Sequence, residues 1–290
     1  MSRLLIFTLS KSQSKYEVGR VVEEAKKMGV EVVRGLYCDL GFKLGEESKV
    51  FVKGKEVGDF EGVWFRVAGT DSGKYIKARN LLIRLWKDKV FCVNGRGYLN
   101  WPRMGKIDQH GVFVKEKIPI VETSIFYTKQ AVLDYKFEYP VVAKNEMGFQ
   151  GKTVVKVENR EEMEKLVEKI SEARLGLWMW QKCLSTRWDI RVIVIGGRVV
   201  GGMKRTANGD EFRSNYSLGG QVEEYKLSEE ESKLAERVAN VCGLDYCGVD
   251  IMKDREGNNF VLEVNRACQF KGFEEATGIN VAREVVNLLV

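Results

Sequence analysis

The stretch that most restricts how this chain can fold is its last pair of apolar runs, "YCGVDIM" (246–252) and "NNFVLEVN" (258–265), separated by "KDREG". Each run has the length and apolar character of a strand, and the charged, glycine-containing segment between them makes an antiparallel hairpin. Such strands belong inside a sheet, yet they carry Asp250, Glu263 and Asn265. Side chains at i and i+2 of a strand share a face, so Glu263 and Asn265 point into one space. Antiparallel pairing brings Asp250 beside them. Three hard oxygen donors without a soft ligand suit magnesium, which takes carboxylate and phosphate oxygens. The competing reading is a solvated strand face with ordinary polar residues.

The rest of the chain supplies a large frame for that hairpin. At 290 residues it is long enough for two or three domains. The N-terminal "RLLIFTL" (3–9) is apolar throughout, as a buried parallel strand would be. A helical pattern over 16–28 and a strand at 30–36 follow, giving a β-α-β start of the doubly wound kind. "KVFVKGKEV" (49–57) reads as a hairpin turning near Lys53-Gly54. Gly95, Gly97 and Pro102 cluster where this first unit ends, near residue 98. A second unit over 99–183 contains a helix at 105–116, strands at 118–126, 139–145 and 153–159, and a helix at 160–171. From 184 to 290 long antiparallel strands dominate, with "WDIRVIVIGG" and "RVVGGMKR" (198–205) forming a hairpin that turns at Gly196-Gly197. The fold class is α/β with a strong α+β component.

Several function classes recede on composition. No apolar run reaches the length of a membrane helix, and "MSRLLIFTLSKSQSKY" has too short an apolar core for a signal peptide. A cytoplasmic protein without a membrane partner is expected. The six cysteines form no CxxC and His110 is the only histidine, which disfavours zinc. The formal charge of +6 is spread among interleaved Lys, Arg and Glu, which suits an anionic ligand or acidic partner rather than nucleic acid.

Three further segments could carry chemistry. In "KNEMGFQGKTVV", Lys144 ends a strand and Gly148 and Gly151 would let backbone N–H groups approach phosphate; the alternative is a flexible hairpin turn. "MKRTANGDEFRSNYSLGGQ" (203–221) reads as a loop folding over the site, whose Lys204, Arg205, Arg213 and Asn215 neutralise phosphate charge, or as an exposed charged loop. In "WQKCL…WDIR", Asp189 could accept from ribose hydroxyls and the 182–184 backbone could read an adenine edge; a surface acid is the plainer reading. His110 is expected to be a packed or solvated histidine. Cys268 has no histidine beside it to make it a nucleophile.

Taken together, "FRSNYSLGGQ", "YCGVDIM" and "VLEVNRACQFKGFEEATGINVA" resemble an ATP-grasp ligase of the RimK type. The sequence "EVN" followed by "FK" and "TG" is closer to the LysX enzymes of the same branch. The resemblance covers residues 99–290, and residues 1–98 match the general shape of a Rossmann-like pre-ATP-grasp domain. It implies a central ATP-grasp subdomain over 99–183 and a C-terminal one over 184–290 that carries the metal site. It further implies that Lys106 and Lys144 contact ATP phosphates and that Gly148 and Gly151 lie in the loop covering them. Lys182 and Cys183 would sit at the adenine hinge, and Asp189 would face the ribose. Arg213 and Asn215 would lie against the phosphates or acyl phosphate. Asp250, Glu263 and Asn265 would hold two magnesium or manganese ions. Two departures stand out: Lys182 replaces the usual hinge glutamate, and "Arg-Ala-Cys-Gln" replaces the RimK "Ser-Pro-Gly" after Asn265.

The chemistry so implied is amide formation between an acceptor carboxylate and an amino acid, glutamate or a related one, through an acyl phosphate. The acceptor would be a small acid, a cofactor tail or an acidic carrier protein, and relatives often form homo-oligomers. A regulatory ATP-binding protein and a kinase that stops at the acyl phosphate are the alternatives.

Overall fold

The N-terminal apolar run is a strand buried on both faces, which explains its lack of polar alternation. The computed structural model of the protein describes residues 2–66, 73–146, 153–208 and 220–290. In chain order the first elements are β1 (Arg3–Thr8), α1 (Lys15–Lys27), β2 (Glu31–Leu36), β3 (Leu40–Lys43), β4 (Lys49–Val52), β5 (Lys55–Val57), β6 (Gly62–Phe65), α2 (Gly73–Trp86), β7 (Phe91–Cys92) and α3 (Gly95–Asn100). Parallel pairing gives a sheet of order β2-β1-β6-β7. Leu4 and Ile6 of β1 face one core, and Leu5 and Phe7 face another on the α2 side. The β4–β5 hairpin turns on Lys53 and Gly54, both with positive φ (53° and 72°), the twist that a two-residue hairpin needs.

The next elements are α4 (Lys106–Lys115), β8 (Thr123–Ser124), α5 (Lys129–Asp134), β9 (Val141–Asn145), β10 (Val154–Val157), α6 (Arg160–Lys169), α7 (Glu172–Leu175) and β11 (Trp178–Lys182). They build an antiparallel sheet of order β10-β9-β11-β8, whose outer face packs on α5 and α6 through Val132, Met163 and Trp180. The strand expected over 118–126 is reduced to Thr123–Ser124. Pro119 has no N–H to give a ladder, and its carbonyl instead accepts from Val261 N (2.8 Å), while Glu122 O accepts from Lys182 N (3.0 Å). The segment therefore ties two sheets together instead of extending one.

The third sheet is formed by β12 (Trp188–Ile195), β13 (Arg198–Thr206) and β14 (Gln221–Tyr225), then β15 (Tyr246–Lys253) and β16 (Asn259–Asn265) beyond α8 (Glu229–Cys242). Its order is β14-β13-β12-β15-β16, all antiparallel. Ile190, Val192, Val249, Val261 and Val264 pack it against α8 and α4. The chain closes with α9 (Lys271–Thr277) and α10 (Val281–Leu289). Lys204 and Arg205, which the expected hairpin strand and the expected loop over 203–221 both contain, lie in β13, which runs on to Thr206.

The expected boundary at 98 falls within α3, and one core runs across it. Leu4, Ile6, Val18 and Trp64 share a cluster with Ile193, Tyr246, Phe270, Val285 and Leu289. Asn94 seals the same junction. Its Oδ1 accepts from Asp245 N (2.7 Å) and Tyr246 N (2.8 Å), and its Nδ2 donates to Tyr246 O (2.8 Å) and Arg266 O (3.0 Å). No helix among the described residues is long and apolar enough to cross a membrane.

Candidate functional site

The second and third sheets face each other across a cleft of about 860 Å³. Lys106, Lys144, Lys182, Cys183, Asp189, Asp250 and Glu263 all line it, so most of the residues singled out in the sequence converge on one space. Gly148, Gly151, Arg213 and Asn215 lie outside the described residues.

One wall belongs to β12, β13, β15 and β16. Asp250 and Glu263 stand directly opposite one another in the β15–β16 register, and Gly248 stands opposite Asn265. The register shifts in β16 just before Glu263, so that Leu262 and Glu263, neighbours in sequence, both line the cleft. A bulge re-aims side chains in this way. Val261 and Val264 remain in the core behind. Asn265 donates Nδ2 to Glu263 Oε1 (3.0 Å), which keeps its own carbonyl oxygen for another partner.

These carboxylates are already partnered. Lys106, the first residue of α4, places Nζ 2.6 Å from Glu263 Oε2. Burial would raise the Glu263 carboxyl, but the Lys106 ammonium and the Lys106 and Asn265 hydrogen bonds outweigh it and hold it well below the ordinary range. Arg191, opposite Asp250 on β12, grips it with Nε to Oδ1 and with Nη2 to Oδ2 (2.7 Å). Arg205 adds Nη2 to Asp250 Oδ2 (3.0 Å) and places Nε 2.5 Å from Asp189 Oδ1, its cross-strand partner. Arg205 is thus a buried strand residue matched to two carboxylates, not a mobile cation. Asp189 is likewise buried, only 5% exposed, and not a surface acid.

Sequence reasoning missed Arg191, although the signal was present. Asp189 and Arg191 are i and i+2 in an otherwise apolar strand, the same pattern that flagged Glu263 and Asn265. Gly248 makes the arrangement possible: a Cβ there would lie 2.8 Å from Arg191 Cδ and 2.9 Å from Cys268 Cβ. Cys268 is buried, and burial raises its thiol pKa, which removes it as a nucleophile.

The opposite wall is built on β9 and β11. Lys144 sits near the end of β9, half-buried on the cleft wall. Burial is the main cause that pulls its pKa down to about 8, with Lys106 adding to the fall and Glu263 opposing it. Lys106, held by Glu263, is instead shifted upward. At the end of β11, Lys182 extends toward Glu138 (3.4 Å), both exposed, so its side chain takes the place of no buried acid. Lys182 N donates to Glu122 O (3.0 Å) and Cys183 N to Pro140 O (3.2 Å). Those two N–H groups are therefore spent, and no acceptor for Leu184 N is present among the described residues.

His110 is buried and hydrogen-bonded through both nitrogens, to Lys106 O (2.9 Å) and Gln181 Nε2 (3.0 Å). Burial, reinforced by Lys144 and Lys106 and opposed by the Lys106 carbonyl, lowers its pKa to about 4.

Two antiparallel sheets closing on a charged cleft, beside a parallel β-α-β unit, define the ATP-grasp class of proteins. The structure of the ATP-grasp ligase PsnB complexed with minimal precursor, Mg and ADP superposes with a TM-score of 0.77 at 20% identity, covering 99% of this chain and 96% of that one. Residues 104–289 match the RimK-like ATP-grasp domain, and the chain belongs to that family. It is 32% identical over 289 residues to a probable alpha-L-glutamate ligase of Aliivibrio fischeri, covering 97% of this chain and 93% of the relative. It is 35% identical over 152 residues to beta-citrylglutamate synthase B of Danio rerio, covering 52% of this chain and 38% of that protein.

Proposed function

We propose that this chain is an ATP-dependent, ADP-forming ligase that joins an acceptor carboxylate to the amino group of an amino acid, glutamate or a close relative of it. Family membership and the names of its relatives support the reaction class and the amino acid. The observation that carries the reading is the pairing of Asp250 with Glu263 on one wall, with Asn265 beside them and the Lys106 and Lys144 ammonium groups at the same cleft.

The donor set fits magnesium. Asp250, Glu263 and Asn265 offer only hard oxygen ligands, and the amide orientation of Asn265 leaves its oxygen for a cation. We assign two magnesium ions to these residues, with manganese able to replace them. Bound there, they would offset the charge on the transferring phosphoryl oxygens.

The chain's own groups do the rest. Lys106 and Lys144 hold the phosphates, and we assign Arg213 and Asn215 to the phosphates or the acyl phosphate. Asp189 faces the ribose, with Arg205 fixing its carboxylate. An acceptor carboxylate oxygen attacks the γ-phosphorus, the bond to the ADP oxygen breaks, and an acyl phosphate forms. The amine nitrogen then attacks the acyl carbon; phosphate leaves with the bonding electron pair and the amine gives up a proton. The acceptor is a small acid, a cofactor tail or an acidic carrier protein, the last favoured by the net charge of +6.

Purified protein incubated with magnesium-ATP, glutamate and candidate acceptors should release ADP only when amine and acceptor are both present. ADP released without amine would indicate a kinase. Tight ATP binding with no ADP under any combination would indicate a regulatory binder.

A further inference from the structure

β16 is the outermost strand of the third sheet, so one of its edges meets no further strand among the described residues. Two of its main-chain N–H groups nevertheless find acceptors on that side. Val261 N donates to Pro119 O (2.8 Å), and Val264 N donates to Gln109 Oε1 (2.8 Å). In a regular strand the N–H groups of one edge belong to residues i and i+2. Residues 261 and 264 are three apart. They share an edge because Leu262 is the extra residue of the bulge, where Asp250 pairs with Glu263 and Ile251 with Val261. The two acceptors therefore match the bulged strand and not a regular one. The same extra residue sets the side-chain directions. Strict alternation from Val261, which faces the core, would send Glu263 into the core as well. With Leu262 bulged, Glu263 faces the cleft, Val264 faces the core, and Asn265 joins Glu263.

Gln109 lies one helical turn after Lys106 on α4 and is only 6% exposed. Its amide has a fixed direction. Met104 O can only accept and meets the NH₂ end (3.4 Å), while Val264 N can only donate and meets the oxygen. Lys106 meanwhile holds the Glu263 carboxylate at 2.6 Å. α4 thus grips one residue of β16 by its side chain and the next by its backbone. We propose that Gln109 is a positioning residue for the divalent cations: with Pro119 O, it holds β16 in the bulged register that turns Glu263 and Asn265 to one side. The inference rests on the reading that these residues hold magnesium. Without the Gln109 oxygen, Val264 N keeps no acceptor in a buried place, and a one-residue slip that turns Glu263 inward competes with the native register.

The test is manganese binding to the full chain in saturating ADP, read from the electron paramagnetic resonance of the free ion. Gln109→Met, close in shape but without an oxygen, should bind manganese about 10–100-fold more weakly, the usual cost of losing a group that orients a metal ligand. Gln109→Glu, whose carboxyl can accept from Val264 N, should recover most of the loss. Raising manganese should return ADP binding by Gln109→Met to the wild-type level, whereas a general loosening of the fold would not respond to the metal. Should Gln109→Met fail to fold, Gln109→Asn, which withdraws the oxygen by one methylene, should show the same weakening. Manganese affinity equal to wild type in the folded variant would overturn the proposal, as would ADP binding that stays weak at saturating manganese. A Val264 amide that exchanges with solvent as fast as an exposed one in wild type would overturn it without any variant. Wild type that binds no manganese in the presence of ADP would overturn the metal reading itself.

Discussion

Asp250 on one wall of the cleft is gripped by two guanidinium groups, whereas Lys144 on the other has no carboxylate within ion-pairing distance among the described residues. The third sheet stores its charge as matched cross-strand pairs, Arg191 with Asp250 and Arg205 with Asp189. The second sheet offers a lysine whose pKa is pulled down to about 8 and an amide, Gln181, hydrogen-bonded to the neutral imidazole of His110 on α4. Matched pairs hold side chains in register before any ligand arrives, and removing one member exposes the other to a large desolvation penalty. An unmatched cation costs stability while the cleft is empty, and polyanion binding offsets that cost.

The sharpest way to break the comparison is Asp250→Asn. It should abolish turnover and, because Arg191 loses its carboxylate and Arg205 keeps only Asp189, also cost about 3–5 kcal/mol of stability in urea unfolding. A variant as stable as wild type would show that the matched-pair account is wrong. Glu263→Gln has a smaller structural effect, since Lys106 is only partly buried; it should lower kcat by about 10²–10³ with the fold intact by circular dichroism. Lys144→Met should behave oppositely to Asp250→Asn. Nucleotide binding should weaken by about 1.5–3 kcal/mol, the worth of a charged hydrogen bond, while thermal stability stays level or rises.

The smallest effect is in protons. With a pKa of about 8 in the empty cleft, Lys144 is charged below pH 8 and neutral above it. Phosphate favours the charged form, so nucleotide affinity should fall as pH rises through 8. Binding near that pH should take up a fraction of one proton, read by calorimetry in buffers of different ionisation enthalpy. The folding linkage has its own sign. Between pH 8 and the ordinary lysine pKa of 10.5 the unfolded chain holds more protons at this residue, so its contribution to stability rises with pH there.

The sequence was most readable where local pattern and final position agree. The turns at Lys53-Gly54 and Gly196-Gly197, the wholly apolar β1 and the Asp250–Glu263 hairpin could all be inferred from spacing alone, because each depends on near neighbours. Arg205 fell in both the hairpin strand and the loop over 203–221, because a charged run at the end of an apolar strand fits either. Only knowledge that Asp189 and Asp250 flank it makes a buried arginine reasonable. The Pro119 segment was misread because its partners, Val261 and Lys182, are distant in sequence. The hydrogen-bond chain from Lys106 O through His110 and Gln181 to Thr123 joins residues far apart in sequence, which no linear pattern records.

Asn94 and the shared core bear on how this molecule could be taken apart. A fragment ending at residue 98 would keep Leu4, Ile6 and Trp64 but lose the helix α10 residues that cover them. The complementary fragment would leave the main-chain groups of Asp245 and Tyr246 with no amide to meet. Each half is therefore expected to be less stable alone than within the whole chain. Mixing the two separately refolded pieces should recover nucleotide binding only if they reassociate; full binding by the 99–290 piece alone would show that the shared core is dispensable.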